Sequence, residues 1–594
     1  MTIQSTIKTI WGFDSFRPLQ QEAVETILSG QDSIVILPTG GGKSLCFQAP
    51  VMTMDGTAVV ISPLISLMKD QVDALNQVGI AAVRIDSSME ASEKRDVYKQ
   101  LKSGTVKLVY ISPERLVMPD FMAFLKTIPI AYFVIDEAHC VSMWGHDFRP
   151  EYRKLRILKQ AFPDKSVHAF TATATEQVRG DIAVQLDLKN AQTLIGSFDR
   201  PNLIFRSEQR VDLFKQVDDI VRCHKNESGI IYCLRRADTE DLAARLLAMG
   251  YRALPYHAGM RDEKRKKHQD AFIRENVDII VATIAFGMGI DKSNVRYVIH
   301  AAMPKSLEHY QQESGRAGRD GLEADCTLLY SGGDFHIWKH LMQDMPPDTR
   351  RVTLGKLSDM YRYCTGVTCR HKQILAYFGE AYEKENCGAC DICNDEKENL
   401  EDALVTGQKI LSCVVRLNEE FGADYTAGVL TGSENQRILG NRHHQLSTHG
   451  LLSDFRKTIV RNWIEQLFAQ GYLHKTEEYS VLKVTEKGWK VLKGNETPRL
   501  SRPSGKQTRK TKVDMDSWEG VSEELFAHLK SLRKQLADAQ NKPAYLVFSD
   551  KSLRDMARLK PRNRDEFLEV NGVGDYKADQ YAPLFLKAIA EWKK

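Results

Sequence analysis

A glycine-rich segment near the N-terminus has the residue types that bind the phosphates of a nucleotide. It runs from Leu37 to Ser44 (LPTGGGKS), between an apolar run and a helical pattern. In such a loop the backbone N–H groups cradle phosphates, the lysine reaches the outer phosphates and the hydroxyl ligates Mg²⁺. The alternative is a plain strand-to-helix turn, and Leu37 stands where the strict pattern has glycine. The predicted ATP·Mg²⁺ contacts are Thr39, Gly40, Gly41, Gly42, Lys43 and Ser44.

Two adjacent carboxylates, Asp136 and Glu137, follow an apolar run that ends at Ile135. In nucleotide hydrolases the first acid of such a pair holds Mg²⁺, and the second orients or deprotonates the attacking water. Alone, two acids are often only the solvated end of a strand. Because a phosphate loop precedes them, we predict that Asp136 ligates Mg²⁺ with Ser44, and that Glu137 activates water.

A third segment, from Gln312 to Gly321 (QESGRAGRDG), carries two arginines that can share one helical face. A guanidinium facing the γ-phosphate stabilises the charge of the transition state. A basic surface loop is the alternative. We predict that Gln312, Arg316 and Arg319 act with Lys43 in catalysis.

The elements that must position these residues follow an α/β pattern. Short apolar runs alternate with amphipathic segments such as Ile65–Val78, which predicts parallel sheets covered by helices on both faces. The predicted strands fall into two sets, so we expect two similar lobes with ATP between them. The first set is Ser33–Leu37, Ala58–Ser62, Lys107–Ser112, Ala131–Ile135 and Val167–Phe170, and the second is Gly229–Cys233, Ala253–Tyr256, Asp278–Ala282 and Tyr297–His300.

Several of the 11 cysteines form a local pattern, in which a lone cysteine precedes Cys387, Cys390 and Cys393. Two CxxC steps with one further thiolate suit a closed, structural Cys₄ zinc site. Cys369 and Cys364 compete for the upstream position. An iron–sulfur cluster and free cysteines in a loop are the alternatives.

Composition sets limits on the class of protein. With 594 residues the chain has several domains, and a net charge of +4 is too balanced to indicate nucleic-acid binding by itself. No run approaches the roughly 18 apolar residues of a membrane helix, and no secretory signal pattern is visible. We expect a cytoplasmic, nucleoid-associated protein without a membrane partner.

Further motifs complete a series with those above: SPLISLMKDQ (Ser62–Gln71), TATAT (Thr171–Thr175), YCLRRADTE (Tyr232–Glu240) and ATIAFGMGIDK (Ala282–Lys292). The series resembles the helicase motifs of the RecQ family. The cysteine segment resembles the zinc subdomain of that family, whose pattern favours Cys369 as the first ligand. The resemblance implies an ATP-dependent 3′–5′ DNA helicase that unwinds duplex and branched DNA in recombination, replication-fork processing and repair.

The same resemblance implies the domain organisation: two RecA-like α/β lobes, a helical zinc-binding subdomain, a winged-helix domain and a small all-α HRDC domain. A basic run with two prolines, TPRLSRPSGKQTRKTK, predicts a flexible linker before the last domain. The expected bounds are 1–198 and 199–338 for the lobes, 339–397 for zinc, 398–494 for the winged helix, 495–514 for the linker and 515–594 for HRDC.

Residues that contact the nucleotide outside the phosphate loop are implied by the resemblance alone. The segment from Gly12 to Gln20 is similar to the family's adenine-recognition segment. There Gln20 would bond the adenine edge, while Phe13 and Arg17 would pack on the base. Gly289 and Asp291 belong to the implied nucleotide contacts of ATIAFGMGIDK.

Candidate DNA contacts are implied in the same way. The segment Trp144–Pro150 resembles the family's aromatic-rich loop, which couples single-strand binding to ATP hydrolysis; a packed aromatic cluster is the alternative. Tyr479 is either a strand-separating wedge on the wing or an exposed tyrosine in a turn. The Gly572–Gly574 turn either holds a phosphate or joins two helices. The candidates are Trp144, His146, Phe148, Arg149, Ser66, Lys69, Thr173, Thr283, Tyr479, Arg564 and Lys577.

The expected partners are single-stranded and forked DNA, a single-strand-binding protein and other repair proteins, with a monomer as the expected state. A strand-annealing scaffold with a regulatory ATPase is a different class of function. Intact Lys43, Asp136, Glu137 and Arg319 disfavour it. An RNA helicase is a third hypothesis, which the zinc and HRDC segments disfavour.

Overall fold

The structure is a computed structural model that describes residues 2–13, 15–145, 147–287, 292–394, 399–476, 481–502 and 518–592. Two parallel-sheet lobes come first, followed by a helical unit with the cysteine cluster, a winged-helix unit and a helical C-terminal unit. The predicted fold class is therefore confirmed. Throughout these ranges, every helix is too short or too polar to span a membrane.

Lobe 1 is built on a seven-stranded sheet whose strands pair in parallel, in the order β3-β4-β2-β5-β6-β1-β7. The strands are β1 Ser33–Ile36, β2 Thr57–Ile61, β3 Ala82–Ile85, β4 Leu108–Ile111, β5 Ile130–Ile135, β6 Val167–Thr171 and β7 Gln192–Ile195. The helices are α1 Ile3–Trp11, α2 Gln20–Leu28, α3 Lys43–Gln48, α4 Ile65–Gln77, α5 Ala91–Lys102, α6 Pro113–Leu116, α7 Pro119–Leu125, α8 Pro150–Arg153, α9 Ile157–Ala161 and α10 Glu176–Gln185. Because β1 and β5 are parallel, the loops after them open at one edge of the sheet, where ligands of such folds bind.

Lobe 2 repeats this architecture with a six-stranded parallel sheet, ordered β10-β11-β9-β12-β13-β8. Its strands are β8 Leu203–Gln209, β9 Ser228–Tyr232, β10 Ala253–Tyr256, β11 Ile279–Ala282, β12 Val295–His300 and β13 Ala324–Tyr330. Its helices are α11 Leu213–Cys223, α12 Arg236–Ala248, α13 Asp262–Ile273 and α14 Leu307–Ser314.

The remaining units are mostly helical. The cysteine unit has α15 Gly332–Leu341, α16 Pro347–Thr365 and α17 Arg370–Tyr377. The winged-helix unit has α18 Ala403–Arg416, α19 Ala423–Leu430, α20 Gln436–Gly440, α21 Lys457–Ala469 and α22 Glu486–Leu492, with an antiparallel pair, β14 Leu473–Lys475 and β15 Leu482–Val484. The C-terminal unit has α23 Glu523–Ala539, α24 Ala544–Val547, α25 Asp550–Leu559, α26 Arg564–Leu568 and α27 Asp575–Glu591.

The hydrophobic cores show which units fold together. Phe378 and Cys390 of the cysteine unit belong to the same core as Phe205 and Tyr310 of lobe 2. The winged-helix and C-terminal units each enclose a core of their own. The cysteine unit therefore shares the core of the two lobes, whereas the last two units are separate domains joined to it.

The C-terminal unit docks across both lobes. The Arg533 guanidinium lies 3.3 Å from the carboxylate of Glu275, at the end of α13, and Lys292 pairs with the same carboxylate at 3.5 Å. At the other end of the unit, a Cβ placed on Gly574 would lie 3.2 Å from Cα of Gly12 in lobe 1. The turn at Gly572–Gly574 therefore contacts the adenine-side segment of lobe 1.

The start of the predicted linker is packed rather than flexible. Leu500 is fully buried in the winged-helix core, its carbonyl accepts from Leu400 N at 2.7 Å, and Trp463 Nε1 donates to Ser501 O at 2.8 Å. The prediction that a linker begins at 495 was wrong, because the single apolar residue of this basic run completes a neighbouring core. Residues 503–517 lie outside the described residues.

The sequence does not predict four of the strands, because polar side chains interrupt their apolar pattern. These strands are β3, β7, β8 and β13. Arg206 of β8 and Asp325 of β13 are both buried and pair at 2.6 Å. His224 Nε2 lies 2.9 Å from Asp325, and its Nδ1 lies 2.8 Å from Glu227. A buried charge network therefore joins β8, β13 and the end of α11.

This network predicts a pH-dependent stability of lobe 2. Burial lowers the pKa of His224, but hydrogen bonds and charges of Asp325 and Glu227 outweigh it and raise that pKa from 6.5 to about 9. A pKa raised by folding stabilises the native state below the unfolded pKa, and this contribution is lost as pH rises through the folded pKa. We expect about 2–3 kcal/mol to be lost between pH 6.5 and 9.5. Denaturant midpoints at these two pH values, for wild type and His224→Gln, measure the loss. An equal pH slope in the variant would contradict the assignment.

Candidate active site and zinc centre

The phosphate loop has the geometry that its sequence predicts. Gly40 and Gly42 adopt φ of 81° and 78°, in the left-handed region that favours glycine, and α3 begins at Lys43 directly after the loop. A Cβ on Gly42 would lie 2.2 Å from Gln20 Nε2. Lys43 Nζ donates to Leu37 O at 3.1 Å, within the loop that it is predicted to serve. The N-terminus of α3, the curved backbone of the loop and Lys43 thus meet at the end of β1.

The two acids lie beside this loop, at the end of β5. Desolvation, followed by the charge of Glu137, raises the pKa of Asp136 to about 7, while Lys43 opposes the rise. Burial lowers the pKa of Lys43. Two adjacent half-buried carboxylates that repel each other fit a divalent cation held by Asp136 and the Ser44 hydroxyl.

Glu137 occupies a strained position at the turn after β5. Its φ of 49° is in the left-handed region, which a non-glycine residue adopts at a cost of roughly 1–3 kcal/mol. Its carboxylate lies 3.3 Å from Nδ1 of His139, and that nitrogen lies 2.9 Å from Oγ1 of Thr171 at the end of β6. The predicted water-activating residue is therefore linked to the TATAT segment.

The arginines of lobe 2 face the phosphate loop of lobe 1. A Cβ on Gly40 would lie 3.5 Å from Cγ of Arg319, and one on Gly315 would lie 3.3 Å from Cβ of Thr39. Arg316 is buried behind this contact. Gln312 is half-buried on α14, one turn before Arg316. The predicted catalytic residues of the two lobes thus come together at one seam.

Arg200, which sequence reasoning missed, holds this seam together. It lies between the lobes, and its Nη1 donates to Thr39 O at 2.7 Å and to Gly315 O at 3.3 Å. Its Nη2 donates to the carbonyls of Ala317 and Gly318 at 3.0 and 2.9 Å. Burial, with the charge of Arg319 second, lowers the pKa of Arg200 to about 10, so the guanidinium remains charged at neutral pH. The only sequence signal is an arginine between two predicted lobes.

The adenine-side segment lies against the same loop. Arg17 Nη1 donates to Gly40 O at 2.7 Å, and Gln20 Nε2 donates to Gly42 O at 3.1 Å. Phe13 is 43% exposed at the rim. Two of the three residues implied to hold adenine, Arg17 and Gln20, therefore contact the phosphate loop. Gly289 and Asp291 lie outside the described residues.

The candidate DNA residues of lobe 1 occupy a loop tied to the acid strand. Phe148 is exposed, with the Arg153 guanidinium 5.0 Å from its ring. Arg149 donates to Pro63 O at 3.2 Å, in the SPLISL segment, and the Tyr152 hydroxyl donates to Asp136 O at 3.2 Å. These contacts link the loop to the ATP site. His146 and the side chain of Ser66 lie outside the described residues.

The other DNA candidates are spread over the molecule. Lys69 is exposed, Thr173 is buried and Thr283 is half-buried. On the C-terminal unit, Lys577 is half-buried 5.5 Å from the Phe548 ring, and Arg564 pairs with Asp579 at 2.7 Å. Tyr479 lies outside the described residues, between the short strands of the wing.

The four predicted cysteines converge. The Sγ atoms of Cys369, Cys387, Cys390 and Cys393 all lie within 4.8 Å of one another, which fits tetrahedral Zn²⁺. Cys364 is buried in α16 and does not belong to this group. The prediction of a Cys₄ site led by Cys369 is confirmed.

The zinc loop is also bonded to lobe 2. Phe205 N donates to Ala389 O at 3.1 Å, and Asp391 N donates to Phe205 O at 3.0 Å. The buried Arg370 guanidinium bonds both oxygens of Asp391, at 2.8 and 3.0 Å. The metal site therefore supports β8 of the motor.

Two RecA-like lobes that hold a phosphate loop, an acid pair and opposed arginines define a nucleotide-driven motor of the helicase class. Comparison with known protein families supports this class along the whole chain. The matches are the DEAD/DEAH box helicase family at 17–180, the helicase conserved C-terminal domain at 212–321, RecQ zinc-binding at 332–394, the RQC domain at 397–509 and the HRDC domain at 522–589.

Full-length relatives narrow the class further. The ATP-dependent DNA helicase RecQ of Haemophilus influenzae is 42% identical, over 100% of this chain and 96% of that protein. The protein of the same name from Bacillus subtilis is 40% identical, over 100% and 99%. A mimivirus protein named putative ATP-dependent RNA helicase R290 is 38% identical, over 82% and 91%. The chain belongs to the RecQ helicase family, whose cofactors are ATP, Mg²⁺ and one structural Zn²⁺.

Loss of a zinc ligand should weaken the motor as a whole. We expect Cys390→Ser to lower zinc content, solubility and ATP turnover together, because bound metal contributes folding free energy and the site shares the motor core. Metal analysis, melting temperature and ATPase rate measure the three effects. Cys223→Ser, at an exposed cysteine of lobe 2, is the matched control. A stable and fully active Cys390→Ser protein would contradict this role.

Loss of Arg200 should slow hydrolysis without unfolding either lobe. Arg200→Met removes charged hydrogen bonds worth about 1.5–3 kcal/mol, so we expect kcat for ATP to fall roughly tenfold to a hundredfold. Steady-state ATPase assays measure kcat and KM. The control is Arg156→Met, an exposed arginine of lobe 1 that pairs with Asp187 at 3.7 Å. Turnover within about twofold of wild type would show that the seam holds without Arg200.

Proposed function

We propose that this chain is an ATP-dependent DNA helicase that moves 3′ to 5′ along single-stranded DNA. It would unwind duplex and branched DNA in recombination, replication-fork processing and repair. The contact of Arg319 with Gly40 of the phosphate loop is the observation that carries the proposal. Because this contact joins the lobes, a change in the charge of the nucleotide acts on both at once.

The roles of the site residues follow from their positions. Lys43 neutralises the outer phosphates, and Asp136 with Ser44 holds Mg²⁺. Glu137 orients the water, and His139 Nδ1 lies 3.3 Å from that carboxylate. Arg316 and Arg319 stabilise the transition-state charge from the opposite lobe. Hydrolysis breaks the bond to the γ-phosphoryl group, and release of the phosphate removes the charge that draws the lobes together, so the cleft closes and opens once per cycle.

The DNA would run across the lobes past the exposed Phe148. The aromatic ring offers a stacking surface for bases, and Arg149 can contact the backbone. The winged-helix domain would hold the duplex ahead of the lobes, with Tyr479 at the strand junction. A single-strand-binding protein and other repair proteins are the expected partners of a monomer associated with the nucleoid.

RNA unwinding is a second candidate, favoured by the relative named as a putative RNA helicase. The HRDC and RQC matches favour DNA. Strand-separation assays on an RNA duplex and on a DNA duplex of the same sequence distinguish the two functions.

The direct test is strand separation on a duplex with a 3′ single-stranded tail, beside a 5′-tailed control. We expect ATP-dependent unwinding of the 3′-tailed substrate alone. Lys43→Ala should abolish turnover, because alanine cannot neutralise the outer phosphates. Glu137→Gln should leave ATP binding largely intact and block hydrolysis, because the amide cannot activate water.

Three outcomes would contradict the proposal. DNA-stimulated hydrolysis without strand separation would indicate a translocase or regulated scaffold. Preference for the 5′ tail would reverse the polarity. Equal unwinding of the RNA duplex would favour the second candidate.

A further inference from the structure

A lysine of the zinc subdomain joins the aromatic-rich loop of lobe 1 to α14, the helix of lobe 2 that precedes the catalytic arginines. Lys356 lies on α16, and its Nζ donates to the backbone carbonyl of Trp144 at 2.6 Å. The same Nζ pairs with the carboxylate of Glu308, on α14, at 2.5 Å. One ammonium group therefore contacts both lobes, although it belongs to neither sheet.

The ion pair lies in a buried setting, so its partners are strongly dependent on each other. The side chain of Glu308 is 3% exposed and that of Lys356 is 15% exposed. A buried carboxylate that loses its cation is destabilised, because its charge is left without water or a partner. Tyr377 of α17 faces the same carboxylate, since burial and then the charge of Glu308 raise the pKa of its hydroxyl. The zinc subdomain thus fixes the position of Glu308.

Glu308 stands on the helix that leads to the catalytic arginines. It lies four residues before Gln312, on the same face of α14, and Arg316 follows two residues after the end of that helix. Because α14 is short and buried, a displacement of Glu308 is carried along the helix to its end. There Arg316 and Arg319 meet the phosphate loop.

Trp144 stands at the other end of the linkage. Its loop carries Phe148 and Arg149, the predicted contacts for single-stranded DNA. On one side of the loop a cavity of about 760 Å³ is lined by Trp144, Lys356, Thr175 and other residues. The loop therefore has space to move beside Lys356.

We propose that Lys356 is a positioning residue that couples DNA binding at the Trp144 loop to the placement of Arg316 and Arg319. This inference rests on the proposed function. When DNA displaces the loop, the Trp144 carbonyl moves relative to Lys356, and the ammonium moves Glu308 with it. The linkage passes through the zinc subdomain and does not cross the ATP cleft.

The experiment compares ATP hydrolysis with and without a saturating single-stranded oligonucleotide. Lys356→Met removes the charge, Lys356→Arg keeps it, and Lys372→Met changes an exposed lysine of the neighbouring helix α17. Because Lys356→Met leaves a buried acid without its cation, the double variant Lys356→Met/Glu308→Gln removes both charges and preserves packing. Oligonucleotide affinity by fluorescence anisotropy, zinc content and melting temperature are measured for each protein.

We expect the ratio of DNA-stimulated to basal hydrolysis to fall at least about fivefold in Lys356→Met and in the double variant, as a lost coupling between sites would. Oligonucleotide affinity should stay within about twofold, zinc content should be unchanged, and Lys356→Arg should recover most of the ratio. Lys372→Met should behave as wild type.

Two results would overturn the coupling. One is an unchanged ratio in Lys356→Met or the double variant. The other is a parallel fall of basal and stimulated rates, with loss of zinc or of melting temperature in both, which is the mark of a merely structural residue. A wild-type protein whose hydrolysis ignores DNA would overturn the proposed function itself, and the coupling with it.

Discussion

The molecule depends on a charge balance that neither lobe can supply alone. Lobe 1 places a lysine and two carboxylates, all half-buried, at the edge of its sheet, and lobe 2 presents Arg316 and Arg319 to the same place. Desolvation makes each of these charges sensitive to its neighbours, which the raised pKa of Asp136 records. A bound nucleotide adds phosphate charge between them, so its presence decides how closely the lobes approach. The other units act on the motor by holding or shifting this approach.

Arg200 and the zinc subdomain hold the lobes in two different ways. Arg200 bonds the backbone carbonyls of both lobes at the seam itself, next to the phosphates. The zinc subdomain shares the hydrophobic core of lobe 2 and reaches lobe 1 at its periphery, where Arg179 Nη2 donates to Phe378 O at 2.9 Å. The first contact sets the geometry of the site, and the second sets the geometry of the surfaces around it. This division explains why a structural metal belongs to a motor whose chemistry does not use it.

Much of the site could be predicted from sequence because its residues are fixed by local spacing. The loop from Leu37 to Ser44, the acids after β5 and the cysteine cluster each need only neighbours along the chain. Arg200 and Lys356 could not be found in this way, because their partners Thr39 and Trp144 are 161 and 212 residues distant. Only the packing of the lobes brings these pairs together, and a lone arginine or lysine carries no signal of it.

The elements of the fold show the same distinction between local and long-range signals. Strands with unbroken apolar runs, such as β5, are predicted from the sequence. The strands β8 and β13 are not, because Arg206 and Asp325 interrupt their apolar pattern and find their charge partners only in the folded lobe. The sequence predicts a linker at 498–501 because one leucine among basic residues forms no apolar pattern, whereas the structure packs these residues against the winged-helix core. Predicted roles at His146, Gly289, Asp291 and Tyr479 remain predictions, since these residues lie outside the described part of the chain.

The docking of the C-terminal domain has a mechanical consequence. Arg533 lies 3.3 Å from the carboxylate of Glu275, and Lys534 Nζ donates to the Glu275 carbonyl at 2.8 Å, so charged side chains hold this domain on lobe 2. The contact of Gly574 with Gly12 is van der Waals in kind, at about 0.1–0.2 kcal/mol for each pair of atoms. When the lobes part, the weaker contact yields first. The C-terminal domain therefore moves with lobe 2. The contact that opens is the one between Gly574 and Gly12, at the rim beside the adenine-side segment.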